Sequence, residues 1–160
     1  MKITSLLFFI FISASTIAQT FTGKVVNIID GNTFEIIDDY DEVTKFMLSE
    51  VDCPELGQEL SEEAKVFSEQ LILKKKVGVT VKGKDMWGNK LAVIELKNGD
   101  LLHEMLIREG LAWASRKAEA KVAELEGKAK TDKKGIWAMA EPTPPWIYRR
   151  QQTMSQAKGR

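Results

Sequence analysis

Three short stretches hold the side chains that could do chemistry. Residues 28 to 39, IIDGNTFEIIDD, set Asp30 and Asn32 around a glycine; EVDCPE carries carboxylates at Asp52 and Glu55 on either side of Cys53 and Pro54; KDMWGNK places Trp87 and Asn89 in one loop. Carboxylates can hold a cation or handle a proton, yet Asp52 and Glu55 taken alone read as readily as solvated acids at a strand end. His103 has no second histidine and no nearby cysteine, so it reads as a capping or packing residue rather than a ligand or base. Cys53 is the only cysteine, which leaves no internal disulfide and makes a small buried side chain the first reading, with intermolecular pairing open. The KAKTDKK run at 128 to 134 reads as a solvated helix face ahead of a phosphate grip. Trp113, Trp137 and Trp146 read as core rather than stacking platforms, whereas for Trp87 core packing and ligand stacking stand level.

The elements that must position these residues follow from periodicity. FTGKVVNII, TFEII and TKFMLSEV are β-rich runs separated by the Asp30-Gly31 hairpin signal and the acidic turn DDYDE, which predicts a three-strand meander. From Ser61, SEEAKVFSEQLIL spaces Ala64, Phe67 and Leu71 for a helix, with Ser61 as candidate cap and Glu62 and Glu63 in the first turn. VGVTVKG and KLAVIELKNG are two more strands around the loop from Asp85 to Asn89. A short helix, LLHEMLIREG, stops at Gly110, and a last helix runs roughly from Ala118 to Lys134 before Gly135. From Glu141 the chain reads EPTPPWIYRR, whose three prolines predict no regular structure, and the last ten residues are polar. Five strands interrupted by a helix, with helices after them, fit an α+β fold: a small closed barrel of the oligonucleotide/oligosaccharide-binding (OB) type with about three helices.

Composition bounds the partners. At 160 residues, with 44% hydrophobic and 29% charged residues, the chain has the length and content of one globular domain. MKITSLLFFIFISASTIAQ has one lysine, an apolar run from Leu6 to Ile12 and small residues ending at Ala18, the layout of a cleavable export signal and too short an apolar run to span a bilayer. The expected organisation is a leader over residues 1–18, one domain over 19–150 and a polar tail over 151–160. Cleavage removes Lys2 from the 23 basic residues and none of the 23 acidic ones, so the mature chain is slightly acidic. With no global field to draw in a polyanion, nucleic-acid binding has to come from a local patch.

Six segments in order, IIDGNTFEI, FMLSEVDCPE, KDMWGNKLAVIEL, LLHEMLIREGLAW, KKGIW and PPWIYRR, resemble the staphylococcal nuclease (thermonuclease) family from about Thr22 to Arg150. The resemblance implies a five-stranded barrel and an exported, Ca²⁺-dependent phosphodiesterase acting on DNA and RNA. It places Asp52 and Glu55 on the family's corner carboxylates, Cys53 at the position offering a backbone carbonyl to the metal, and Pro54 at the bend. In such a site two carboxylates and a carbonyl hold Ca²⁺ against a phosphate, the glutamate positions or deprotonates the attacking water, and two arginines neutralise charge on the transition state.

Three positions depart from that pattern. Asn32 stands for the metal-binding turn aspartate, Met47 for the first arginine and Asn89 for the second; Met86 and Trp87 stand where the family often has a basic residue and a tyrosine. The loop after Trp113 is short for base-stacking aromatics, with Arg116 the nearest replacement. Lys45 and Lys90 are the conceivable substitutes for the lost guanidinium charge, although lysine supplies no fork and Lys45 reads first as an exposed strand residue. The expectation is weak or absent Ca²⁺ binding and reduced or absent hydrolysis. The alternative is a non-catalytic module for a nucleotide, oligosaccharide, peptide or protein. Under either reading the expected partner is single-stranded nucleic acid or a nucleotide, with no stable membrane anchor and a monomeric state.

Overall fold

The computed structural model describes residues 19–158; the leader expected over 1–18 lies outside the described residues. Strands β1 (Thr20–Ile28), β2 (Thr33–Ile37), β3 (Val43–Leu48), β5 (Lys76–Lys84) and β6 (Lys90–Glu95) close into a barrel in the order β1-β2-β3-β6-β5. The β3–β6 pair is parallel and the other neighbours antiparallel. The β-rich runs read from the sequence are the barrel strands, and Val25, Phe34, Ile36, Phe46, Val79 and Ile94 on them point inward and are almost fully buried. Each such side chain contributes about 1.5–3 kcal/mol from leaving water.

Helix α1 (Ser61–Ile72) follows the short strand β4 (Val51–Asp52), and α2 (Leu102–Arg108), the short strand β7 (Trp113–Ala114) and α3 (Ala120–Thr131) follow the barrel. Leu102, Leu106 and Ile107 of α2 join the barrel's core cluster, along with Ala64 and Ile72 of α1. Strands β4 and β7 form a separate two-stranded sheet that pairs Asp52 with Trp113, so the acidic corner is clamped to the chain beyond α2. A 3-10 turn (Gly135–Ala138) leads to a further helix, α4 (Pro145–Lys158).

Four local expectations change. Ser61 is the first helical residue of α1 rather than its cap; the cap position is Leu60, in the left-handed region at φ 64, with no side-chain cap bond. The turn between β1 and β2 spans residues 29–32, with the Ile29 N–H donating to the Thr33 carbonyl at 2.9 Å. Gly31 is there for closeness rather than a left-handed turn: a Cβ on it would lie 2.8 Å from the Ala64 Cβ and 2.9 Å from the Cys53 sulfur. The Ser68 hydroxyl donates to the Gly31 carbonyl at 2.6 Å, fixing that turn on α1. The tail is not irregular throughout: α4 starts at Pro145 and takes in most of the residues read as a polar end. Proline in a first turn lacks only an N–H that would be orphaned there, so these prolines introduce the helix instead of breaking it.

Candidate functional site

Three elements converge on one cleft of about 790 Å³. The turn before β2 brings Asp30 and Asn32, the β4 corner brings Asp52 and Glu55, the loop before β6 brings Trp87 and Asn89, and Met47 of β3 forms part of its wall. The structure therefore joins the turn, the corner and the loop that the sequence singled out.

The corner is rigid for identifiable reasons. The Glu55 N–H donates to the Gln58 side-chain oxygen at 2.8 Å, and the Gln58 amide donates onward to the Thr143 carbonyl at 2.8 Å. Asn32 is buried, and its Oδ1 accepts the Cys53 N–H at 3.1 Å, so this side chain ties the turn to the corner. Asp30 accepts the Asn32 N–H at 2.9 Å, an Asx-type closure of the turn. Burial pushes the Asp30 carboxyl above its ordinary value despite that bond, with the charge of Asp52 adding to the effect. Burial also pushes the Cys53 thiol well up, aided by the carboxylates of Asp30, Asp52 and Glu55, which leaves it an inert packing thiol.

The loop across the cleft is organised by Asp85. Its Oδ1 accepts the N–H groups of Trp87 at 2.9 Å and Asn89 at 2.8 Å, and its Oδ2 accepts the Asn89 side-chain amide at 2.7 Å. Burial acts to raise the Asp85 carboxyl, but the Asn89, Trp87 and Gly88 donors outweigh it and hold it below the ordinary value. Asn89 thus spends its donors inside its own loop. Trp87 is 74% exposed, which removes the core-packing reading for it.

The cation of the cleft comes from α4. Arg149 Nη1 donates to Asp52 Oδ1 at 3.1 Å and also to Glu55 Oε1, while Nη2 donates to Asp52 Oδ2 at 2.7 Å. The hydrogen bonds it donates to Asp52 raise the guanidinium's already high value further, so it is charged at every working pH. Trp146, Arg149, Arg150 and Thr153 all line the cleft, a spacing of i, i+3, i+4, i+7 that is one helical face. That spacing is the signal which would have found Arg149, had the tail been read as helix. Trp146, expected in the core, is 37% exposed at the cleft wall.

The conceivable replacements lie elsewhere. Lys45, Lys90 and Arg116 do not line the cleft. Lys45 is exposed on β3 opposite Glu35, and Lys90 reaches the Thr44 hydroxyl at 3.4 Å beside the Phe46 ring in a separate hollow. Lys90 precedes the cleft residue Leu91 along β6, and because side chains alternate along a strand it faces away; Lys45 shares the face of Met47, two residues along β3, but lies outside the cleft. Arg116 is exposed just beyond Ser115, which does line the cleft. His103 is buried on α2, and burial lowers its value, as fits a packing residue. Three of the four lysines of the 128–134 run pair with acids: Lys128 with Asp132, Lys130 with Glu126 and Lys134 with Glu109.

A Ca²⁺ ion does not fit the residues as they stand. Asp52 and Glu55 are engaged by Arg149, Asn32 Oδ1 by the Cys53 N–H, and burial opposes the ionisation of Asp30. Among the described residues no group of three or more His, Cys, Asp or Glu side chains is arranged to hold a metal ion.

A family profile described as "Staphylococcal nuclease homologue" matches residues 45–139, more than half of the chain. The chain belongs to the staphylococcal nuclease homologue family. It is 30% identical over 150 residues to an "Uncharacterized endonuclease" of Escherichia coli, covering 92% of this chain and 97% of that protein. An "Uncharacterized endonuclease" of Haemophilus influenzae is 30% identical over 157 residues, covering 97% and 88%. The "Micrococcal nuclease" of Shigella flexneri is 29% identical over 145 residues, covering 81% of each. The closed five-stranded barrel is thus the nuclease family's barrel, and the cleft stands over its turn and corner.

Proposed function

We propose that this family member uses the cleft to bind single-stranded nucleic acid or a nucleotide, with phosphodiester hydrolysis weak or lost. The observation that carries the reading is the engagement of both Asp52 and Glu55 by Arg149, which leaves neither free for a metal or an attacking water. Met47 and Asn89 supply no guanidinium to a transition state, and a missing preorganised donor costs about 10² to 10³ in rate. Two such losses, if independent, remove roughly 5–8 kcal/mol of the roughly 8–23 by which enzymes lower barriers. Trp87 and Trp146 offer ring faces for bases and Arg150 a cation for phosphate, a local patch on a slightly acidic chain. The names of the relatives, endonuclease and nuclease, favour a second reading, residual hydrolysis; in that reading Glu55 is the group acting on water, and Asn32 would be a weak ligand to Ca²⁺.

Hydrolysis of single-stranded DNA in excess Ca²⁺ separates the two. The natural protein is expected to be silent or very slow, and a variant carrying Asn32→Asp, Met47→Arg and Asn89→Arg together to cut faster. Brisk cutting by the natural protein that disappears in Glu55→Gln would overturn the proposal. Export as a monomer, with a leader cleaved near Ala18, belongs to the same proposal, and the mass of the mature chain recovered from cells tests the cleavage.

A further inference from the structure

We infer that the Arg149 guanidinium takes the place of a metal ion in this cleft, so that the acidic corner is neutralised from within by α4 and excludes divalent cations. The inference deepens the reading of the cleft given above but concerns ion occupancy, not catalysis. Its basis is geometric. One planar fork meets both carboxylates through three charge-assisted hydrogen bonds, two of them bidentate to Asp52. A cation entering between Asp52 and Glu55 has to break all three, and the remaining oxygen ligands are poor compensation. Asn32 is neutral, and its Oδ1 is occupied by the Cys53 N–H.

The strap is held where this exchange requires. α4 packs only lightly against the other elements, and the Arg149 contacts tie it directly to the corner. A second tie lies just before it: Gln58 joins the Glu55 N–H to the Thr143 carbonyl, coupling the corner to the segment that enters α4. The charges are also consistent, since one guanidinium against two carboxylates leaves a single negative charge, which Arg150 on the same helix face is placed to reduce.

Ca²⁺ and Tb³⁺ titrations of the mature chain test this, with Tb³⁺ luminescence excited through tryptophan and Tm followed with Ca²⁺ and with chelator. The wild type is expected to show no saturable Tb³⁺ signal and no Tm change with Ca²⁺. Arg149→Gln is expected to bind Tb³⁺ at least about tenfold more tightly than the wild type and to gain a Ca²⁺-dependent rise in Tm, because ion affinity follows the count of free charged ligands. Adding Asp52→Asn should remove that gain. Arg149→Lys, which keeps the charge and loses the fork, guards against misfolding, and its response should lie above the wild type's. A wild type that binds Ca²⁺ in an Asp52-dependent way overturns the inference, and so does a folded Arg149→Gln or Arg149→Lys protein that gains nothing. Strand cleavage decides the proposed function and ion binding decides this inference, so either can fail alone: a wild type that binds oligonucleotide without cutting it, yet takes up Ca²⁺ at Asp52, sinks only the inference.

Discussion

Breaking the Arg149–Asp52 pair is the most informative stability measurement. A guanidinium and a carboxylate whose centres are about 4 Å apart attract by about 1 kcal/mol in bulk water and about 4 kcal/mol at an effective dielectric of 20. The Arg149 side chain is 40% exposed and that of Asp52 17%, so the pair lies between these limits. Side-chain ordering and screening by salt trim the figure to a coupling of about 1–2 kcal/mol. Arg149→Met alone should cost more, about 2–3 kcal/mol, because it leaves Asp52 and Glu55 facing each other without a cation. For a chain of this length that corresponds to a fall in Tm of about 5–10 °C. The assay is a double-mutant cycle of Arg149→Met and Asp52→Asn by urea unfolding at low and high salt, where the coupling should shrink as salt rises. A coupling within about 0.3 kcal/mol of zero at both salt concentrations would refute the reasoning, since the fork would then not be held in solution.

Three further outcomes are expected. Trp87→Ala should weaken binding of a short single-stranded oligonucleotide by about 1–3 kcal/mol in fluorescence anisotropy while leaving Tm nearly unchanged, and an unaltered affinity counts against the cleft as the binding face. Gly110→Ala should lose at least about 3 kcal/mol in urea unfolding, because a Cβ there would sit 2.2 Å from the Lys134 carbonyl oxygen at φ +66, and a tolerated alanine would show the two segments are not in contact. Burial holds His103 below the ordinary 6.5, so the unfolded chain takes up its proton first; the stability this residue contributes is present above pH 6.5 and is lost as pH falls through the folded value. His103→Gln should flatten that acid limb in urea midpoints measured against pH, and an unchanged limb would place the titration elsewhere.

How far the sequence carries differs between parts of the molecule. The strands were legible because FTGKVVNII, TFEII, TKFMLSEV, VGVTVKG and KLAVIELKNG are β-rich runs bounded by turn signals, and a barrel buries one face of each strand whatever lies outside it. Ser61 looked like a cap because capping is a local preference, yet the chain entering from the corner puts Leu60 in the left-handed region and the cap position with it. The prolines from 142 to 145 read as breakers because position relative to a helix start cannot be seen in composition. Lys45 was a candidate because it shares the strand face of Met47 and Lys90 because it adjoins Asn89, yet neither side chain lines the cleft.

By itself, then, the sequence determined the barrel, the acidic corner at Asp52 and Glu55, and the absence of acid or arginine at Asn32, Met47 and Asn89. These are properties of residue type and local period. Which cation faces the corner was decided only by the tertiary structure: Arg149 lies 97 residues beyond Asp52, and no local preference links them. They meet because β4–β7 pairing and the Gln58–Thr143 bond bring the segment before α4 back past the corner, where two carboxylates in a partly buried cleft need a counter-charge.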